Sequence, residues 1–306
     1  MSIQLLNIIR FFLYFDLMLL FGLLLFEIYG VQGIIKKSAA LFSARSFIFA
    51  LIVVGAGLSL AHMMFVAHAM SGESDPRELL IHIKDMAGET AVGMSCAIRL
   101  AALVIAFIGL AISSKYQAFS RYLLIFSGGT ALATLAWGGH AVMNDGTHFY
   151  IHLTSDIVHL FAAGAWVGAL AAFSFLLCTQ NSVSDAWELT GALTAFSRVG
   201  TCIVLSIVVT GAVNFLFISE KPLNTLLGSE YGSLLLIKIM LFFLMMILAS
   251  ANRFRFVPGV ENALHHGSYQ TAIKLIRRSI FMEFILSILI IAIVAWLGTL
   301  SANTGM

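Results

Sequence analysis

Eight continuous apolar stretches, each about 20 residues or longer, recur along this chain and constrain its fold more than any other feature. They lie at about 9–30, 44–70, 91–113, 121–143, 156–178, 197–219, 231–251 and 279–300. Such lengths match the span of a bilayer's hydrocarbon core as a helix. In lipid the backbone must satisfy its own polar groups, so uninterrupted runs of this kind predict helices. A transmembrane β-barrel would instead alternate in segments of about 10 residues. Composition agrees, with 60% of residues hydrophobic and 10% charged. A soluble domain carries about 25% charged residues, and the charges here are too few to solvate the apolar surface. The expected fold is therefore an all-α polytopic membrane bundle of eight transmembrane helices, a single domain over residues 1–306 with no soluble domain appended. A net charge of only +2 argues against nucleic-acid binding. Cys96, Cys178 and Cys202 are scattered, form no C-x-x-C pair and read as small buried hydrophobes. After Arg10 the first apolar run continues without an A-x-A pattern, so it reads as a retained span.

Orientation follows from the basic residues. Lys36, Lys37, Arg45, Lys115, Arg121, Arg198, Arg253, Arg255, Lys274, Arg277 and Arg278 fall on one side of the eight-span arrangement. Only Arg10, Arg77, Lys84 and Lys221 fall on the other, while Arg99 and Lys238 lie within spans. The richer side is expected to be cytoplasmic, which places both termini on the periplasmic side of an inner membrane.

The histidines then separate sharply. His62, His68, His82, His140, His148, His152 and His159 gather at or near the outer face, and only His265 and His266 at the inner. The loop between spans 4 and 5 contains no Lys or Arg, so it is a cation-free, electron-rich patch. At about 100° per residue, His148, His152, Asp156 and His159 fall at about 0°, 40°, 80° and 20°, on one helical face. Pairs at i and i+4 are helix neighbours and suit chelation of a metal ion. The four rise over about 16 Å, too far for one ion to touch them all. Ser155 is a candidate N-cap that would leave His152 on the loop. In span 2, Met64 and His68 share a face, whereas His62 and His68 are about 120° apart. Imidazole suits several transition metals and thioether favours Cu(I), so a His/Met set facing an oxidising compartment points to copper before zinc. The bland alternatives are interfacial histidines and gap-filling methionines.

Polar groups inside spans are costly and often functional. Asp16 and Glu27 lie nearly on one face of span 1; Arg99, Asn214, Lys238 and Glu283 stand in later spans. They form either a polar track for an ion or protons, or interhelical pairs such as Glu27 with Lys238 or Arg99.

Taken in order, several motifs resemble the bacterial copper-resistance D (CopD/PcoD) family. They are Gly139-His140-Ala141 with His152, Asp156 and His159; Ala162-Ala163-Gly164-Ala165-Trp166-Val167-Gly168; Phe196-Ser197-Arg198; Thr210-Gly211-Ala212-Val213-Asn214; the run from Tyr231 to Lys238; and Asn252-Arg253 with Pro258. Ala169 departs from the family's usual Gly, and Asp156 stands where some relatives have His. The resemblance implies an inner-membrane copper protein, not an enzyme, that works with a periplasmic copper-binding partner of the CopC type and imports copper towards the cytoplasm. On this reading His140, His152, Asp156 and His159, with His148 nearby, capture copper as Cu(I) or Cu(II). His62, Met64 and His68 are auxiliary ligands, and Asp16, Glu27, Asn214 and Lys238 are intramembrane polar residues of interest. Two other readings compete. One is a b-type cytochrome whose haem is held by paired histidines on facing helices. The other is a structural membrane protein that binds no metal.

Overall fold

The structure is a computed structural model, and it describes residues 3–29, 45–72, 75–138, 146–218 and 229–300. Among these it is a helical bundle. The helices are α1 (Ile3–Tyr29), α2 (Arg45–Ser71), α3 (Pro76–Glu89), α4 (Ala91–Ile112), α5 (Gln117–Ala133), α6 (Gly146–Thr179), α7 (Val183–Ile218), α8 (Glu230–Ala251), α9 (Val257–His265) and α10 (Gln270–Leu297). A 3-10 turn, Thr134–Gly138, prolongs α5, and a π-helical turn, Asn252–Phe256, joins α8 to α9. Pro258, just beyond that turn, has no N–H to give a carbonyl one turn back, a usual setting for such a slip in the ladder.

Seven of the expected apolar segments are long enough to cross a membrane. The remaining one, about 121–143, corresponds to α5 and its 3-10 extension; its last part, residues 139–143, lies outside the described residues. Several helices start well before their apolar windows: α6 at Gly146, α7 at Val183 and α10 at Gln270. Hydropathy marks only the portion suited to lipid, whereas a helix extends into the polar boundary wherever its backbone bonds continue. The helix α3 was not expected. It is amphipathic, begins at Pro76 and is capped by Asp75, whose carboxylate accepts from the Arg77 amide at 3.0 Å.

Two helices form the centre. α1 packs on α2, α5, α6 and α10, and α6 on α1, α7 and α10. The two central helices run side by side in one direction. Phe21 stacks on Phe161 at 5.1 Å between centroids, and Phe26 meets Phe173 edge-on at 5.1 Å. Between these contacts Gly22 faces Gly164 and Gly168 so closely that a Cβ on Gly22 would overlap the Gly164 carbonyl. Small residues that let two backbones approach are the usual device where helices must associate without a hydrophobic driving force. By contrast α8 presents most of its apolar side chains outward, Met240, Phe243 and Ile247 among them, as a lipid-facing helix does. Cys96 is buried as expected, but Cys178 and Cys202 are exposed on the outside of the bundle. The first turns of α1 and the residues just after α10 meet at one end of the bundle: Thr299 Oγ1 donates to Asn7 Oδ1 at 2.8 Å.

Candidate metal-capture site

Roughly the first four turns of α6 and the last turns of α7 meet at the end of the bundle where α1 and α6 begin. Because α6 starts at Gly146, His148, His152, Asp156 and His159 are all helical, and the candidate N-cap Ser155 sits inside the helix. Its hydroxyl instead donates to the Thr210 carbonyl at 3.2 Å, tying α6 to α7. His152 is fully buried, with its Nε2 3.9 Å from Asp156 Oδ2 one turn on. The other carboxylate oxygen accepts from Asn214 Nδ2 at 2.5 Å. His152 stacks on Phe217 with ring centroids 5.2 Å apart and planes 13° from parallel. His148 is exposed and meets the edge of the same Phe217 ring at 5.7 Å.

His159 carries the most informative geometry. Its Nδ1 lies 2.9 Å from Thr210 Oγ1. That hydroxyl is itself 2.5 Å from the Ser206 carbonyl. A threonine hydroxyl has one proton, and an oxygen this close to a carbonyl must donate it there. Thr210 Oγ1 therefore accepts from Nδ1–H, and the other ring nitrogen, Nε2, bears the lone pair. A neutral imidazole with one nitrogen held by a hydrogen-bond partner and the other basic is the form that binds metals. The ring packs against Gly211, where a Cβ would make an ordinary contact 3.6 Å from His159 Cε1.

Lys238, half-buried on α8, lies within Coulombic range of Asp156 and His159, and Tyr231 within range of Asp156. Asn214 Oδ1 is buried and has no hydrogen-bond partner among the described residues. The expected intramembrane residues Asn214 and Lys238 thus converge on Asp156.

The other candidates lie elsewhere. His140 lies outside the described residues. Met64 is half exposed on the outside of α2, whereas its neighbour Met63 is buried. His68 stands in the last turn of the same helix. His62 lines a small cavity with Arg10 and Arg99, and two guanidiniums oppose a cation there. The expected ion pairs of Glu27 take a different form. Glu27 lies within Coulombic range of Arg121, while Arg99 Nε donates to Thr134 Oγ1 at 2.8 Å and Lys238 lies within Coulombic range of Asp156. Asp16 is buried against Gly55, where a Cβ would approach its Oδ2 at 2.7 Å. Glu283 is buried and accepts from Asn252 Nδ2. Among the described residues no three His, Cys, Asp or Glu side chains are grouped closely enough to hold an ion by themselves.

The contribution of Thr210 and Phe217 is not visible in a search for metal ligands. A signal does exist: Thr210, Asn214 and Phe217 recur at i, i+4 and i+7 on α7, one stripe of a helix. That stripe faces the histidine stripe of α6.

The fold and this cluster define a multi-pass helical membrane protein with a polar, histidine-bearing site at one end of its bundle. Two family models match the chain: the N-terminal domain of copper resistance protein D-like proteins over residues 1–150, and copper resistance protein D over residues 190–297. Copper resistance protein D of Pseudomonas syringae pv. tomato is 41% identical over 295 residues, 96% of this chain and 95% of that one. Inner membrane protein YebZ of Escherichia coli (strain K12) is 36% identical over 129 residues, 42% of this chain and 43% of that one. Copper transport protein CutJ of Bacillus subtilis (strain 168) is 30% identical over 177 residues, 55% of this chain and 31% of that one. No solved structure matches. The chain belongs to the copper resistance protein D family and is a multi-pass inner-membrane protein.

Proposed function

We propose that this protein captures copper at the periplasmic end of the bundle and passes it towards the cytoplasm. One observation carries the reading: the Ser206–Thr210–His159 chain leaves His159 Nε2 as a lone-pair donor. His152, stacked on Phe217, supplies a second imidazole about two turns earlier on the same helix face, and His140 and His148 stand near it in the chain. Asp156, oriented by Asn214, supplies negative charge beside these rings. Imidazole is a suitable ligand for copper, and the printed names of two relatives concern copper resistance and copper transport. Lys238 places a positive charge near the same carboxylate and opposes a second cation moving past it. A periplasmic copper-binding protein of the CopC type is the expected donor.

Metal analysis of the purified protein tests this. Copper should be found, without a haem Soret band, and His152→Ala or His159→Ala should each lower its occupancy. Unchanged occupancy in both variants overturns the site, and a Soret band lost on the same substitutions replaces it with the cytochrome reading. For transport, cellular copper should fall in cells carrying His159→Ala relative to cells carrying the parent chain. Unchanged copper with an emptied site would leave capture and overturn import.

A further inference from the structure

A second polar site lies in the same half of the bundle, between α1, α2 and α4. It is a cavity of about 20 Å³, room for one water-sized occupant. Arg10, Tyr14, His62, Ser95 and Arg99 face it, and among the described residues no carboxylate does. Arg10 is 9% exposed and Arg99 3%. Arg99 gives its Nε to Thr134, and the Thr134 hydroxyl gives its own proton to the Ala131 carbonyl at 2.6 Å. Arg99 Nη1 remains buried without a partner among the described residues, and so does Arg10 Nε. The Arg10 guanidinium lies over Gly298, where a Cβ would overlap it. It also lies 6.0 Å from the centre of the Tyr14 ring.

Two buried guanidiniums with unmet donors, sharing a cavity and repelling each other, are costly in a membrane protein. The arrangement is relieved by negative charge between them. We propose that this cavity binds a small monovalent anion of the halide class. The volume suits a single compact ion. The charge excludes the copper cation, so the site is separate from the α6 cluster and does not rest on the copper reading. An anion there would hold α1 to α4 by charge-assisted hydrogen bonds, which are stronger than neutral ones.

The probe is bromide, exchanged for gluconate at constant ionic strength on the full-length protein in detergent. The thermal midpoint should rise with bromide and saturate, since a ligand bound only by the folded state stabilises it by mass action. X-ray fluorescence should count a single bromide per chain. Arg99→Gln should weaken the apparent affinity by about tenfold to a hundredfold, the range for hydrogen bonds to a charged group. Arg99→Lys keeps the charge but loses the planar fork, so it should fold while binding bromide more weakly than the parent. A parent protein without saturable bromide dependence, or an Arg99→Gln protein that retains it, overturns the proposal.

Discussion

Thr210 illustrates how much a residue outside the ligand set decides. Its hydroxyl donates a hydrogen bond to the Ser206 carbonyl and thereby selects which nitrogen of His159 is basic. Thr210→Val keeps the shape and removes the acceptor. Orienting partners of this kind are typically worth about 10–100-fold in metal affinity, and a loss of that size is expected in copper titrations. Thr210→Ser, which keeps the hydroxyl, should restore most of it; equal weakening by Val and Ser would point to packing instead. Asn214 has the same standing towards Asp156. Neither role can be read from spacing along α7 alone, because the partner groups belong to α6.

At the scale of elements, the pairing of α1 with α6 is the axis of the molecule. Gly22, Gly164 and Gly168 allow the backbones to touch, and the aromatic pairs on either side lock the register. A branched side chain at Gly22 has nowhere to go except into the Gly164 carbonyl. Gly22→Val should therefore destabilise the purified protein by about 1–3 kcal/mol or more, the range for overpacking a filled interior. A drop in thermal midpoint measures it, and an unchanged midpoint would mean that the helices separate easily. Gly57, with open space around it, is the control: Gly57→Ala should leave the midpoint nearly unchanged. The long α6 also matters for the site, since its first turns carry His148 and His152 beyond the apolar window into helical register with His159.

For the whole molecule, the hydrogen bond between Asn7 and Thr299 puts the beginning of α1 and the end of α10 on one face of the bundle. An even number of crossings is required for that, and α5 with its 3-10 extension supplies the eighth in our proposal. Reporters fused at the two termini should both respond as periplasmic; opposite responses would overturn the eight-span arrangement, and two cytoplasmic responses its orientation. Much of this was legible in the chain. Runs of about 20 apolar residues determine helices, because in lipid no other backbone arrangement satisfies its own hydrogen bonds. The i, i+4, i+8 and i+11 spacing of His148, His152, Asp156 and His159 likewise determines a shared face once they are helical. Tertiary structure alone decided which helices meet. It brought Thr210, Asn214 and Phe217 to the histidine face, and it set His62 beside two arginines. It also parted Glu27 from Lys238 and Arg99. Periodicity within a helix reports one face of that helix, whereas the partner of that face depends on close packing between segments far apart in the chain.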